Sequence, residues 1–278
     1  MKKAAKQLIC DQLLQLGLVE SPREATALIM AGKVLVNDRP AKPGMKVSAD
    51  DMIRIKGSQS PYLAKGGLKL AGALAAFGIN PTGQVCLDAG ASAGGFTDCL
   101  LKHGAESVYA VDVGFGQLLG SLRQNPRVMN LERTNLSSPE LLRLNPRPSL
   151  ATCDLSYLSL REAVPIYRDI LGGEGTLICL VKPLFEVDDA HARRTGQIAE
   201  DAYAPMLHSL ADHLNGLPGV SVVDVCASPV TGHGGTIEFF FHIVFGRAEK
   251  KPALDSAIVK SVEAALQNQQ NPREHTDV

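Results

Sequence analysis

The chain has 278 residues, 45% of them hydrophobic and 21% charged, with a formal net charge of −1. That composition excludes a disordered or fibrous chain, and the length leaves room for one sizeable domain plus a small one. No apolar run approaches the roughly 18 residues of a membrane span, and Met1-Lys-Lys-Ala-Ala-Lys6 lacks a signal peptide's apolar core, so a cytoplasmic protein is expected.

The near-neutral total hides an asymmetry. Residues 1–60 carry ten Lys and Arg against six Asp and Glu, a net of +4, which leaves −5 for the rest. A basic small module on an acidic body points to a polyanionic partner for the module. The six cysteines show no C-x-x-C pairing and the seven histidines no ligand spacing. Neither a metal site nor a disulfide framework is expected, and a reducing compartment fits.

In chain order, residues 3–16 have helical period, with Leu8, Ile9, Leu13, Leu14 and Leu16 on one side. Ser21-Pro-Arg-Glu24 is a capping box with proline at the first helical position, and it starts a helix to Ala31. Lys33–Pro40 reads as a strand entering a turn, Pro43-Gly44 as a turn, and Met52–Lys56 as a closing strand. Arg23, Lys33, Arg39 and Lys42 gather near the helix–strand junction as a basic cluster for a polyanion, with Lys65 beyond the module; the resemblance that follows makes all five candidate RNA contacts. Gly17–Ala25, Leu28–Asn37 and Pro43-Gly44 resemble the S-four RNA-binding domain, with Lys6-Gln7-Leu8 standing where that family usually opens Arg-Leu-Asp.

Residues 1–58 therefore form the expected small α+β module and 59–64 a linker. A helix follows over 65–78, with Leu70, Leu74 and Phe77 on its buried face. Strands are predicted near 84–89, 107–113, 128–132, 149–155 and 175–182, and helices near 94–103, 116–124, 159–171 and 200–216. Two strands, 220–228 and 236–246, then follow with no helix between them, so the last must run antiparallel to its predecessor. Alternating strands and helices argue an α/β fold with a parallel sheet and right-handed crossovers. Seven strands with the last reversed is the layout of the Rossmann-like class I methyltransferases that use S-adenosylmethionine. That domain is expected over 65–248. Residues 249–278 would add a helix over Ala253–Leu266 and a flexible tail from Gln267 to Val278.

The stretch Val85–Thr97 organises the larger domain. An apolar run ends in Asp88, turns through Gly90, Gly94 and Gly95, and becomes a helix. Glycine there lets a ligand approach the main chain, and free backbone N–H groups meet its polar atoms. The spacing is not G-x-G-x-x-G and no Walker Gly-Lys-Ser/Thr is present, so neither an NAD nor a P-loop site is favoured.

Four charged residues fall at strand ends or beside them. Asp154 ends the fourth strand, Lys182 ends the fifth, Glu238 lies near the start of the reversed strand, and Lys69 lies on the helix before the first. A reversed strand begins at the edge where the parallel strands end, so the four share one sheet edge with the glycine turn. Charges following apolar strands are costly to bury unless paired. Two lysines with two carboxylates suit methylation of a ribose hydroxyl, which needs an aligned attack and removal of a poorly acidic proton. A lysine whose pKa is lowered by burial and a neighbouring cation could serve as that base.

The chain is similar to the TlyA-type (haemolysin A) ribosomal RNA methyltransferases, whose catalytic domain resembles the FtsJ/RrmJ ribose 2′-O-methyltransferases. The motifs are Lys65-Gly-Gly-Leu-Lys69, Asp88–Thr97, Asp112–Gln117, Glu132-Arg-Thr-Asn135, Asp154–Leu160, Val181–Glu186 and Gly235-Thr-Ile-Glu238. The resemblance implies a catalytic tetrad of Lys69, Asp154, Lys182 and Glu238, with Lys182 the base. It implies an S-adenosylmethionine site at Asp88, Gly90, Ala91, Ser92, Gly94, Gly95, Phe96, Asp112, Val113, Asn135 and Asp154. It also implies a cytidine in ribosomal RNA as substrate and no metal. The chain departs from the pattern at Ala93, Leu184, Thr236 and over Val187–Gly196, which bears on substrate choice. Two other readings stand beside it: a ribosome-binding or assembly factor whose catalysis has lapsed, and a membrane-active haemolysin.

Overall fold

A computed structural model describes residues 6–16, 18–19, 21–37, 39–48, 51, 53–56, 61–156, 158–232, 235–246 and 253–270. The first strand β1 is Gln7–Leu8, followed by helices α1 (Ile9–Gln15) and α2 (Pro22–Met30). Strands β2 (Val34–Val36), β3 (Arg39–Pro40), β4 (Lys46–Val47) and β5 (Ile53–Ile55) complete the module. The first helix therefore starts at Ile9 rather than residue 3, because Leu8 is extended and Gln7 and Leu8 pair with Val47 and Lys46. The Ser21 side chain accepts from Glu24 N at 3.2 Å, the cap that the sequence announces. The strand entering a turn expected over 33–40 is β2, which turns at Asn37 (φ 49°) and pairs back with the short β3 as a hairpin. Ile9, Leu13, Ala25, Ile29, Val34, Val36 and Val47 fill its small core.

The larger domain runs α3 (Lys65–Phe77), β6 (Val85–Ala89), α4 (Gly95–Lys102), β7 (Ser107–Asp112), α5 (Gly120–Arg123) and β8 (Val128–Glu132). It continues β9 (Leu150–Cys153), α6 (Leu160–Ile170), β10 (Gly175–Val181), α7 (Pro183–Glu186), α8 (Ala190–Thr195) and α9 (Tyr203–Asn215). It closes with β11 (Val220–Ala227), β12 (Phe239–Phe245) and α10 (Asp255–Gln270). The seven-stranded sheet has the order β11-β12-β10-β9-β6-β7-β8, with β12 antiparallel to both neighbours and the β6–β10 strands parallel. Strand order reverses between β6 and β9, the position at which open α/β sheets bind ligands. All five residues of β6 are buried, as fits a strand covered by helices on both faces.

Four elements differ from the sequence reading. The helix expected over 116–124 shrinks to α5, because Gly116 N and Gln117 N donate to the Glu132 carboxylate at 2.8 and 3.2 Å and hold that segment as a loop. Helices α7 and α8 were not expected. Asp189 caps α8 by accepting from His191 N and Ala192 N. Helix α10 extends through Gln270, so the flexible tail does not begin at Gln267; Ile258, Val262 and Ala265 anchor the helix in the core, and 271–278 lie outside the described residues.

Part of the linker, residues 59–60, also lies outside them, while Leu63 N donates to the Asp98 carboxylate at 2.9 Å. The two domains touch there. Leu16 packs with Ala64, Ala93 and Leu119, and Leu16 O accepts from Lys65 N at 3.4 Å.

Candidate active site

Strand β6 delivers the chain into a turn held in left-handed backbone at Gly90 (φ 85°), Ser92 (φ 46°) and Gly94 (φ 95°). Glycine at 90 is forced: a Cβ there would strike the Asp154 carbonyl oxygen. Gly95 lets the first turn of α4 approach the backbone of Gly66 and Gly67, where a Cβ would lie 3.1 Å from Gly67 N. That close approach of α4 to α3 carries Lys65 and Lys69 to the turn.

Beneath the turn, Asp88 is fully buried and accepts from Thr97 Oγ1 at 2.6 Å and Thr152 Oγ1 at 3.0 Å. Burial pushes its pKa up to about 6, against the pull of those hydroxyls. Asp88 thus ties β6, β9 and α4 together and does not line the cavity above it, contrary to its expected place among the cofactor contacts. Beside the turn, Asp112 accepts from Ser92 N at 2.8 Å and from Gly114 N at 2.7 Å. Each oxygen keeps a second lone pair for a ligand hydroxyl.

Two cavities open at this sheet edge. The first, about 310 Å³, is lined by Gly90, Ala91, Ser92, Gly95 and Phe96 together with Lys65, Lys69 and Asp154. Leu14, Leu16 and Val19 of the N-terminal module form part of its wall. The second, about 800 Å³, is lined by Lys182, Leu184, Phe185, Thr236 and Glu238, and again by Lys69 and Asp154.

The four strand-end charges come together as two ion pairs at the edge these cavities share. Lys69 Nζ meets Glu238 Oε2 at 2.5 Å, and Lys182 Nζ meets Asp154 Oδ1 at 2.6 Å. Registry explains this: Val181 pairs with Phe239 and Cys179 with Cys153, so Lys182, Glu238 and Asp154 project just past paired strand ends. Burial raises the Glu238 pKa, while Lys69 pulls it down. For Lys182, burial pulls down, but the Asp154 carboxylate outweighs it and the net direction is up. That overturns the expected lowering. The carboxylate neighbour holds Lys182 as an ammonium, and Ser156 Oγ accepts from it at 3.2 Å.

The remaining site residues divide. Gly94 shapes the turn without lining the cavity, and Phe96 packs against Phe240 with ring centroids 6.1 Å apart. Val113 is 68% exposed at the end of β7, outside the first cavity. Asn135 also stands outside it: its side-chain oxygen accepts from Ser137 N and Oγ at 3.0 and 2.9 Å, which closes a local turn. Arg23, Lys33, Arg39 and Lys42 are all exposed on the module, whereas Lys65 is half-buried at the first cavity and away from them. Sequence reasoning missed the module's contribution to the cavity wall, and Glu132, whose carboxylate organises the loop after Asp112. The apolar residues Leu14, Leu16 and Val19 carried no signal beyond helix packing.

The first cavity thus carries Lys65 and Lys69 as cations and Asp154 as a carboxylate, whereas Asp112 stands beside the turn without lining the cavity, and the N–H groups of Gly90, Ala91, Ser92 and Gly94 are taken by protein acceptors. Known proteins sharpen this. The FtsJ-like methyltransferase family matches residues 62–245, and the S4 domain family matches residues 11–53. The chain belongs to the FtsJ-like methyltransferases. Within that family it is 37% identical, over 93% of its own length and 98% of the relative's, to the Mycobacterium tuberculosis 16S/23S rRNA (cytidine-2′-O)-methyltransferase TlyA. It is 35% identical to Hemolysin A of Brachyspira hyodysenteriae, over 82% of this chain and 95% of that one. A solved Streptococcus thermophilus structure described as a hemolysin superposes with a TM-score of 0.79 at 32% identity, covering 97% of this chain and 99% of that one. This FtsJ-like chain is thus a TlyA-type methyltransferase with an S4 domain at its N-terminal side. Among the described residues, no helix is long and apolar enough to cross a membrane, and no group of three or more metal-ligating side chains gathers.

Proposed function

We propose that this protein transfers a methyl group from S-adenosylmethionine to the ribose 2′-hydroxyl of a cytidine in ribosomal RNA. The observation that carries this is the shared wall. Lys69 and Asp154 line both the glycine-turn cavity and the larger one, so a donor in the first can face an acceptor in the second across two lysine–carboxylate pairs. The relatives named as cytidine-2′-O-methyltransferases support the substrate.

Bound S-adenosylmethionine supplies a methyl group on a positive sulfonium, already activated for in-line attack. The chain's residues then have three tasks. Lys65 and the closely approached backbone of the glycine turn hold the donor, with Asp112 beside the turn for its ribose hydroxyls. The Lys69–Glu238 pair lines the acceptor cavity and orients the attacking hydroxyl. Lys182 takes the hydroxyl proton as the oxygen–carbon bond forms and the carbon–sulfur bond breaks. It must first lose its own proton, which Asp154 opposes; positive charge arriving in the adjoining cavity favours that loss.

The four exposed basic residues Arg23, Lys33, Arg39 and Lys42 would hold structured RNA through phosphates and shape. The working division is a module over 1–58, a joint over 59–64, a catalytic domain over 65–248 and the C-terminal helix beyond it. Action on ribosomal subunits would call for a cytoplasmic protein.

Tritium transfer from labelled S-adenosylmethionine to purified small and large ribosomal subunits tests the reading. Wild type should label RNA as an alkali-stable dinucleotide, and Lys182→Ala should not. No transfer to either subunit by a folded protein would reverse it in favour of a binding factor.

A further inference from the structure

Strands β9 and β10 deliver the Lys182–Asp154 pair, yet the ladder between them stops short of it. Cys153 and Cys179 are their last paired residues, so Asp154 and Lys182 both stand beyond it. Asp154 has an anchor of its own, donating its N–H to Ala89 O at 3.1 Å. Lys182 stands at the head of α7, a helix of only four residues, so whatever fixes α7 sets the course on which the chain leaves β10.

The far end of α7 is Glu186, a buried carboxylate with no part in the three tasks above. Its Oε1 accepts from Leu160 N at 2.7 Å and its Oε2 from Ser159 Oγ at 2.8 Å. Both partners lie at the start of α6, whose Leu160, Ala163, Val164, Tyr167 and Ile170 are seated in the core. Burial raises the Glu186 pKa, and the bonds from Leu160 N and Ser159 Oγ pull it back. A carboxylate is costly to bury unless its oxygens are paired. The start of α6 already has a local cap, since Ser159 Oγ accepts from Arg161 N at 3.2 Å. A carboxylate from another segment adds what a local cap cannot: it ties together two chain segments that leave neighbouring strands. Lys182 joins those segments at one end, through Asp154 and Ser156, and Glu186 joins them at the other.

We propose that Glu186 is a positioning residue for methyl transfer: by tying the end of α7 to the start of α6, it holds Lys182 in contact with Asp154 and Ser156. The inference rests on the reading of Lys182 as the base and deepens it. Glu186 lines neither the glycine-turn cavity nor the larger one, so it acts through the pair rather than on a reactant.

Single-turnover rates measured against pH, at saturating donor and RNA, test this, with donor affinity read by calorimetry. Glu186→Ala removes both bonds. It should lower the rate ceiling by about ten- to a hundredfold and leave donor affinity unchanged. It should also move the rise in rate to lower pH, because Asp154 then holds the lysine proton less firmly. Glu186→Gln is the rescue: its amide oxygen can accept from Leu160 N and its amide nitrogen can donate to Ser159 Oγ, so the rise should stay at the wild-type pH. Ser159→Ala removes one of the two bonds and should shift the rise in the same direction by less, which decides the matter should Glu186→Ala fail to fold. A capping role alone would leave every rise in place. A folded Glu186→Ala enzyme, or Ser159→Ala in its stead, with the rise at the wild-type pH would overturn the inference. Asp154→Asn is the reference: if it too leaves the rise unmoved, the failure lies in the reading of Lys182, and this inference falls with it.

Discussion

The two lysine–carboxylate pairs use the same chemistry at different depths. The side chains of Lys69 and Glu238 are 11% and 7% exposed, those of Lys182 and Asp154 are 19% and 26% exposed. The deeper pair is a fixed support, since separating its members strands a charge in a poorly solvated place. The shallower pair lies nearer solvent, with Asp154 on both cavities and Lys182 on the larger one. On the reading proposed above, that difference in depth suits Lys182 to proton transfer and Lys69 to positioning.

Substitutions at the two pairs should separate these roles. Lys182→Ala should lower the single-turnover rate on the order of a thousandfold, with S-adenosylmethionine binding measured by calorimetry little changed. Equal losses of rate and donor affinity would place Lys182 in binding instead. Lys69→Met should reduce stability by about 3 kcal/mol, read in a denaturant titration, and Lys69→Met with Glu238→Gln should recover part of it. An unaltered denaturation midpoint would deny the deeper pair its supporting role.

A pH profile sharpens the contrast. Asp154 raises the Lys182 pKa above 10.5, so the neutral, proton-accepting form grows only as pH rises. The sign for stability is the opposite: the raised pKa adds stability that is fully present below the unfolded value and lost as pH rises through the folded one. Wild-type single-turnover rates should therefore climb with pH across the tolerated range. Asp154→Asn leaves burial dominant and should move the rise to lower pH, with a lower ceiling. Identical profiles for the two proteins would contradict the assignment of Asp154 as the group that holds the lysine proton.

A smaller effect comes from the joint. Leu16→Ser puts a hydroxyl against Ala93 and Leu119 and disturbs the cavity wall, so the donor dissociation constant should rise by about three- to tenfold. Unchanged donor affinity would mean that the module's wall does not touch the ligand. Asp88 offers the mildest test. Its folded pKa near 6 lies above the ordinary 3.8, so its contribution to stability is greatest below pH 4 and fades as pH rises through 6. Asp88→Asn should remove that slope from the melting curve between pH 4 and 7.

Much of this architecture was legible in the sequence because hydrophobic period and strand ends are local properties. Strands β6, β8 and β10 fall within a residue of their expected limits, and the four strand-end charges converge once the reversed last strand is recognised. What escaped depends on distant partners. The loop after Asp112 reads as helix until Glu132 is seen to take its N–H groups. Gln7–Leu8 reads as helix until Lys46–Val47 pairs with it. The Lys182 pKa direction follows from a 2.6 Å contact between residues 28 apart in sequence, and Leu16 reaches the cavity only through domain docking. Asp88 was placed at the cofactor by its motif, which does not reveal that its side chain points down to two threonines.

The most direct measurement replaces the target nucleotide. An RNA segment that wild type methylates would be made with a single 2′-deoxycytidine at the modified position, and methyl transfer and binding would be measured on both versions. Methyl transfer to the 2′-hydroxyl predicts that the deoxy substrate binds with similar affinity and receives no label. Undiminished transfer to the deoxy substrate would contradict the account, because the acceptor would then be the base and the two lysine–carboxylate pairs would have no hydroxyl to serve.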